Sequence, residues 1–466
     1  MRKQSAAWVG GILLMGVIAS GQTFQVVHHF SNPETLESVG RLVLSSNTIY
    51  GVGGGYIGGL PHYGSIFRVR SDGSGYAIVK QFAPMYPSSP GGIYTNAEGA
   101  VPLGGLVLGG DTLYGTTDQG GKFGLGTVFS IKTDGSGFSV LKHFSGSDGN
   151  NPHVELALDG NALYGTTAGG GISNKGTIFR INTDGSNFGL LKSFNGSEGW
   201  GPLGGLTLSQ GVLYGTTYRG GAAGFGTVYS ITTNGTGFAV LKEFAGVDGA
   251  YPRYNLIVSG GVIYGTTEGG GDGTKSLVYK LNTDGSGFGV LKTFPIPDPV
   301  SGTNNDGFVL RCGLASAGRT LFGATEQGGN FANGVVFALQ MDGANYTVLK
   351  QFSANNDPGT NSDGAAPFPS LMLSESIVYG TTEYGGKMGG GTLFSINVAP
   401  RLETAFSPDG FAFNVIGYPN ERVVIEASSD LGSPSWVPLQ TNSVPVSFID
   451  VNWRNYNQRY YRARLQ

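Results

Sequence analysis

An acidic residue followed by glycine recurs at Glu98, Asp148, Glu198, Asp248, Asp306 and Asp363. Proline stands four places further on at Pro102, Pro152, Pro202, Pro252 and Pro367, and Leu310 breaks the series. Carboxylates repeated around one rim of a fold can attract cations or polyhydroxyl ligands. The plainer role for each is to close a turn by accepting backbone N–H groups. Four further acids, Asp118, Glu268, Glu326 and Glu383, lie beside glycine pairs, and Trp200, Tyr218 and Arg219 bring aromatic and cationic groups to the same kind of loop. Together these residues are the ligand-binding candidates.

Catalysis finds less support. Two carboxylates in unequal surroundings can hydrolyse a glycosidic bond, but here the acids recur with the repeat and no single pair stands out, so no catalytic residue is assigned. The histidines, His28, His29, His62, His143 and His153, form no cluster with zinc-ligand spacing, and no metal is expected. Residues 269–276 resemble a phosphate loop only superficially, because Lys275 lacks a preceding glycine and no helix follows. Asp357, Asn361 and Asp363 depart from the spacing of a helix–loop–helix calcium loop. No cofactor is expected.

What positions these loops is a repeat, seen most plainly in residues 206–244. Leu206-Thr207-Leu208 alternates as a half-buried strand does. Val212 to Thr217 is a second β-prone run ended by Gly220-Gly221, and Gly226 to Ile231 is a third, rich in β-branched and aromatic residues. Asn234-Gly235 then supplies residues suited to positive φ in a tight hairpin, as do Asp134-Gly135, Asp184-Gly185 and Asp284-Gly285 elsewhere. Phe238 to Phe244 closes the unit as a fourth strand. No stretch inside the unit has helical periodicity.

The second-strand aromatic recurs at Tyr50, Tyr114, Tyr164, Tyr214, Tyr264, Phe322 and Tyr379. The terminal phenylalanine of the fourth strand follows a complete unit at Phe82, Phe144, Phe194, Phe244, Phe294 and Phe352, and the last unit stops after its third strand. Its missing piece stands at the other end of the chain, where Phe24-Gln25-Val26-Val27-His28-His29-Phe30 matches Phe238–Phe244 in register. A linear stack has no use for such a displaced strand. A ring does, since it leaves no open edge. The expected fold is therefore all-β: a seven-bladed β-propeller over residues 22–399, closed by its N-terminal strand. A β-solenoid is the alternative.

Leu213-Tyr214-Gly215-Thr216-Thr217, the Gly220-Gly221 pair and Gly226-Thr227-Val228-Tyr229 resemble the GloVer (Gloeo-Verruco) tandem repeat of the choice-of-anchor bacterial proteins, over about residues 24–398. The resemblance implies an exported protein, usually with a C-terminal sorting segment, and no established activity. The double glycine also resembles the kelch repeat, although the kelch tryptophan is absent.

Arg2 and Lys3 precede an apolar run over residues 6–18 and the small residues Ala19-Ser20-Gly21, the pattern of a secretory signal peptide over residues 1–21. Cleavage near Gly21 leaves 26 basic residues, the 28 of the full chain less Arg2 and Lys3, against 31 acidic. That acidic balance offers no footprint for nucleic acid. Glycine is abundant, 83 of 466 residues, but keeps to fixed turn positions, which argues for order. Cys312, the one cysteine, forms no intrachain disulfide and is expected to pack as a small apolar residue in a first strand.

Short Asp-Gly or Asn-Gly hairpins occupy one face of the expected ring. The opposite face carries three expanded connections, residues 83–100, 295–310 and 353–369, with Tyr86, Tyr94, Trp200, Tyr218, Arg219, Tyr251 and Tyr384 among its loops. Variable loops on a rigid scaffold are where binding sits. After Pro400 a new pattern begins, with strands around Phe411, Val423, Val444 and Arg459 and with Trp436 as a core residue, read as a small β-sandwich over residues 400–466. It resembles terminal modules of exported bacterial proteins. The expected function is a secreted or cell-surface, monomeric, non-enzymatic scaffold that binds a glycan or protein partner through the long-loop face, with no membrane span after signal removal. The alternatives are an extracellular carbohydrate-active enzyme and a structural envelope component.

Overall fold

A computed structural model describes residues 23–31, 40–57, 60–89, 92–152, 154–270, 275–356, 359–368, 370–405, 410–417, 422–430, 435–456 and 458–465. The signal-peptide reading, His153 and Asp357 lie outside the described residues.

The fold is all-β and propeller-like. Six four-stranded sheets, each a simple antiparallel meander, follow one another along the chain, and a five-stranded sheet follows them that also takes in a strand from the start of the chain. The fourth sheet is representative, with strands Thr207–Ser209, Val212–Thr217, Thr227–Thr232 and Ala239–Glu243. The Tyr-Gly-Thr motif of the second strand has a packing cause. A Cβ on Gly115 would stand 2.6 Å from Cζ of Phe129, so only glycine lets the third-strand ring lie across its neighbour. That ring then meets the terminal phenylalanine of the preceding sheet edge-on, as in Phe82–Phe129 at 5.4 Å and Phe144–Phe179 at 5.2 Å.

Strand Phe24–Ser31 pairs with Gly389–Asn397, more than 350 residues away, and is the outer strand of the last sheet. It reproduces its counterparts in detail. Every fourth strand skips one residue against the third, as between Val128 and Phe129, and Phe24–Ser31 skips Val27 at the same register. Such a bulge twists the outer strand. Phe30 packs edge-on to Phe67 of the first sheet at 5.3 Å. One hydrophobic cluster joins Val27, Phe30, Tyr379 and Leu393 of the last sheet to Leu42, Ile49, Phe67 and Val69 of the first. Equivalent clusters join every other consecutive pair of sheets.

Three expectations need correction. The Asp-Gly hairpins do not place both residues at positive φ. Gly135 and Gly137 are positive, at 93° and 66°, whereas Asp134 is not, and its Oδ1 accepts the Ser136 N–H and Oγ–H at 2.8 and 2.7 Å. Cys312 is buried but precedes the strand Ala315–Ala317 rather than belonging to it. Trp436 is half-buried and outside the C-terminal core, where Arg462 covers its ring at 4.4 Å. That core, Phe413, Val415, Val423, Ile425, Val444 and Phe448, is shared by two three-stranded sheets.

Burial pushes the Cys312 thiol up to about 12, so it stays protonated at neutral pH. A thiolate-selective disulfide reagent is expected to leave the native protein unmodified and to react stoichiometrically once denaturant unfolds it. Rapid labelling of the native chain would contradict that packing.

A pH effect follows from the outer strands. His29 Nδ1 accepts the Lys387 N–H and His143 Nδ1 accepts the Lys122 N–H, both at 3.2 Å, so these contacts need neutral imidazoles. Burial, and then the charges of Lys387 and His28, lower the His29 pKa; burial, Lys122 and Lys142 lower that of His143. A histidine depressed below its ordinary 6.5 contributes stability above that pH and loses it as the pH falls, because the unfolded chain takes the proton first. Gln351 occupies the matching position in the sixth sheet, where Oε1 accepts the Asn330 N–H at 2.7 Å. The double variant His29→Gln/His143→Gln is therefore expected to fold and to show a flatter loss of melting temperature between pH 6.5 and 5 than wild type. Superimposable pH profiles would refute it.

Candidate functional site

The acid–glycine motif turns out to join neighbouring sheets. Glu98 pairs with Lys80 at 2.8 Å, and Asp306 and Asp363 pair with Lys292 and Lys350 at 2.5 Å. Asp148, Glu198 and Asp248 pair with Lys142, Lys192 and Lys242. Each lysine comes from the fourth strand of the preceding sheet, and its Nζ lies 4.2–4.7 Å from a ring centroid of the next: Phe138, Phe188, Phe238, Phe288, Tyr346 or Phe24. At the seam between the last sheet and the first, His28 takes the lysine position and stacks on Tyr76 at 4.2 Å.

The carboxylates also accept backbone N–H groups, Ser145 to Asp148 and Ala245 to Asp248 at 2.8 Å, so the turn role holds for them. The lysine signal was present in the sequence, one lysine two residues before each of six terminal phenylalanines. It reads as surface charge until its partners are known. These six acids therefore do not gather into one site.

Asp118 also stands apart, buried, with Asn151 Nδ2 donating to its carbonyl at 3.0 Å and its Oδ2 at 3.4 Å. The remaining candidates converge on the loops of the fourth to seventh sheets. Trp200 and Arg219 exchange backbone hydrogen bonds at 2.7 and 3.1 Å. The Arg219 guanidinium stands 5.6–5.7 Å from the rings of Trp200, Tyr218 and Tyr251, and the two tyrosine rings lie 5.1 Å apart. The Arg253 guanidinium also lies over the Tyr218 ring, at 5.9 Å. Burial, and then the charge of Glu268, raise the Tyr218 pKa, so its hydroxyl is a donor at neutral pH.

Beside this aromatic platform, Arg311 bridges two carboxylates, donating from Nε to Glu268 Oε1 at 2.5 Å and approaching Glu326 Oε2 at 3.1 Å. Glu268 and Glu326 are largely enclosed, with side chains 12% and 13% exposed. Burial raises the Glu326 pKa, the Arg311 charge opposes that shift, and Glu383 adds to it. The arrangement offers stacking surface, hydroxyl acceptors and guanidinium donors within one patch. Arg253 and Arg311 were missed in the sequence because neither sits in the repeat's own motif. Among the described residues, no group of three or more His, Cys, Asp and Glu side chains is placed to hold a metal ion.

The model of the Gloeobacter/Verrucomicrobia repeat matches residues 92–276 and 256–430. No curated protein matches the sequence. Similar solved structures include an oligogalacturonate lyase from Vibrio parahaemolyticus (9% identity, covering 81% of this chain and 97% of that one, TM-score 0.46) and the Niastella koreensis GH74 enzyme (14%, 86% and 59%, TM-score 0.48). A putative 6-phosphogluconolactonase from Bacteroides uniformis is also similar (12%, 89% and 100%, TM-score 0.43).

Proposed function

The chain belongs to the Gloeobacter/Verrucomicrobia repeat family, and from that premise we propose an exported, non-enzymatic scaffold that binds a surface glycan through its long-loop face. The body is a seven-bladed ring closed by Phe24–Ser31, the C-terminal module is a small β-sandwich, and residues 1–21 are removed on export. The shared cluster of the first and last sheets supports the closure.

The observation that carries the binding reading is the Trp200–Tyr218–Tyr251 platform with Arg219, set beside Glu268, Arg311 and Glu326. Aromatic faces stack on sugar rings while carboxylates and guanidinium groups meet hydroxyls, a combination suited to binding without turnover. Trp200 is 36% exposed, enough to receive a ligand. On an array of bacterial polysaccharides the mature protein is expected to bind a defined subset, and Trp200→Ala to weaken that binding at least tenfold, the loss typical of an aromatic anchor. Binding to no glycan, or binding indifferent to Trp200→Ala, would defeat the reading and leave a protein partner or an envelope component.

One observation favours a hydrolase. Glu326 and Glu268 share Arg311, and burial raises the Glu326 pKa, the direction that suits the general acid of glycoside hydrolysis. New reducing ends from a polysaccharide panel, abolished by Glu326→Gln, would establish it in place of simple binding.

A further inference from the structure

Residues of the first strands of all seven sheets line adjoining cavities, read as one central channel, and one layer of residues stands where those strands begin. Each member directly precedes the buried leucine that leads into a first strand: Arg41, Gly105, Glu155, Gly205, Asn255, Gly313 and Ser370 in sheet order. From the first sheet to the seventh, side chains alternate with glycine, and only at the seam between the last and first sheets do two side chains, Ser370 and Arg41, follow one another. The glycines are demanded by space. A Cβ on Gly105 would stand 2.5 Å from the Arg41 nitrogen, and one on Gly205 would stand 2.5 Å from Asn255 Oδ1. Asn255 Nδ2 donates to Glu155 Oε2 at 2.7 Å, its Oδ1 accepts the Gly205 N–H at 2.8 Å, and Arg41 approaches Glu155 Oε1 at 3.5 Å.

These three groups are not equally committed. Both Glu155 oxygens are engaged and its side chain is only 14% exposed, whereas Arg41 is 47% exposed and makes one long contact to Glu155. Arg41 also borders three adjoining cavities of about 420, 120 and 610 Å³. The charge on offer is therefore positive, on a planar fork that matches a carboxylate. Around it the walls mix aliphatic side chains, Val107, Leu158, Leu208 and Val258 among them, with the polar Thr207, Ser316 and Ser370.

We propose that this channel is a binding site for a small carboxylate with an aliphatic body, the carboxylate on Arg41 and the body against the first strands. The site is separate from the loop platform, and neither reading depends on the other.

Octanoate serves as the probe in calorimetric titration of the mature chain, with octanol and octylamine as controls. Octanoate is expected to saturate one site per chain and to bind at least tenfold tighter than either control. Arg41→Gln is expected to weaken it at least tenfold. Ser316→Trp, which fills the cavity from its wall without altering Arg41, is expected to do the same. Both variants are checked for native melting; if Arg41→Gln does not fold, the comparison rests on Ser316→Trp. Octanoate binding unchanged in a folded variant, equal binding of all three probes, or no binding to the folded wild type would overturn the proposal.

Discussion

Phe30→Ala is expected to destabilise the protein by about 3–5 kcal/mol, the cost of emptying a fully buried aromatic site. Phe30 is 0% exposed, meets Phe67 at 5.3 Å and belongs to the cluster holding the last sheet to the first. Its own strand is joined to the rest of its sheet only by pairing with Gly389–Asn397. Phe244→Ala is the matched control, since Phe244 packs on Tyr279 at the same 5.3 Å, but across an interface whose two sheets follow directly in sequence. Similar losses at the two sites in chemical denaturation would show the seam to be as tightly packed as an ordinary interface. If the chain instead formed an open spiral, Phe30→Ala would shift the midpoint no more than a surface substitution does, while Phe244→Ala would keep its full effect.

How far these features were legible in the sequence depended on whether the repeat expressed them. The borrowed strand was readable because Phe24 and Phe30 bracket it in the spacing of Phe238 and Phe244, and the bulge at Val27 carries that match into the backbone. The acids were readable as a motif, but their lysine partners were not, because an ion pair between neighbouring sheets leaves no mark within either unit alone. Departures from the repeat were harder still. Arg41, Glu155 and Asn255 occupy one repeat position that is glycine in three other copies and Ser370 in the last, so comparing copies treats them as variation. Their meaning appears only when residues 100 and 114 positions apart meet in the folded chain. Arg311 was hidden for a similar reason. It lies where the proline series fails at Leu310, and that break, noted as an irregularity, introduces the residue that holds Glu268 and Glu326 together.

Within the acid–glycine motif the glycine is expected to matter more than the acid. Gly149 has φ of 124°, and an added Cβ would stand 2.5 Å from both Oγ1 and Cγ2 of Thr167. That threonine has no freedom to withdraw. It is buried, its hydroxyl pairs with Thr177 Oγ1 at 2.8 Å and donates to the Gly169 carbonyl at 2.8 Å, and it accepts the Thr177 N–H at 3.2 Å. Gly149→Ala therefore combines backbone strain with overpacking, and about 2–5 kcal/mol of destabilisation is expected. Asp148→Asn retains an oxygen able to accept the Ser145 N–H and removes the charge facing Lys142, a partly exposed pair, so about 1 kcal/mol is expected. Denaturant titration of the two variants in parallel tests the ordering. A loss at Asp148→Asn equal to or larger than that at Gly149→Ala would mean that the ion pair, rather than the close approach of the connecting backbone to the threonine pair, holds one sheet against the next.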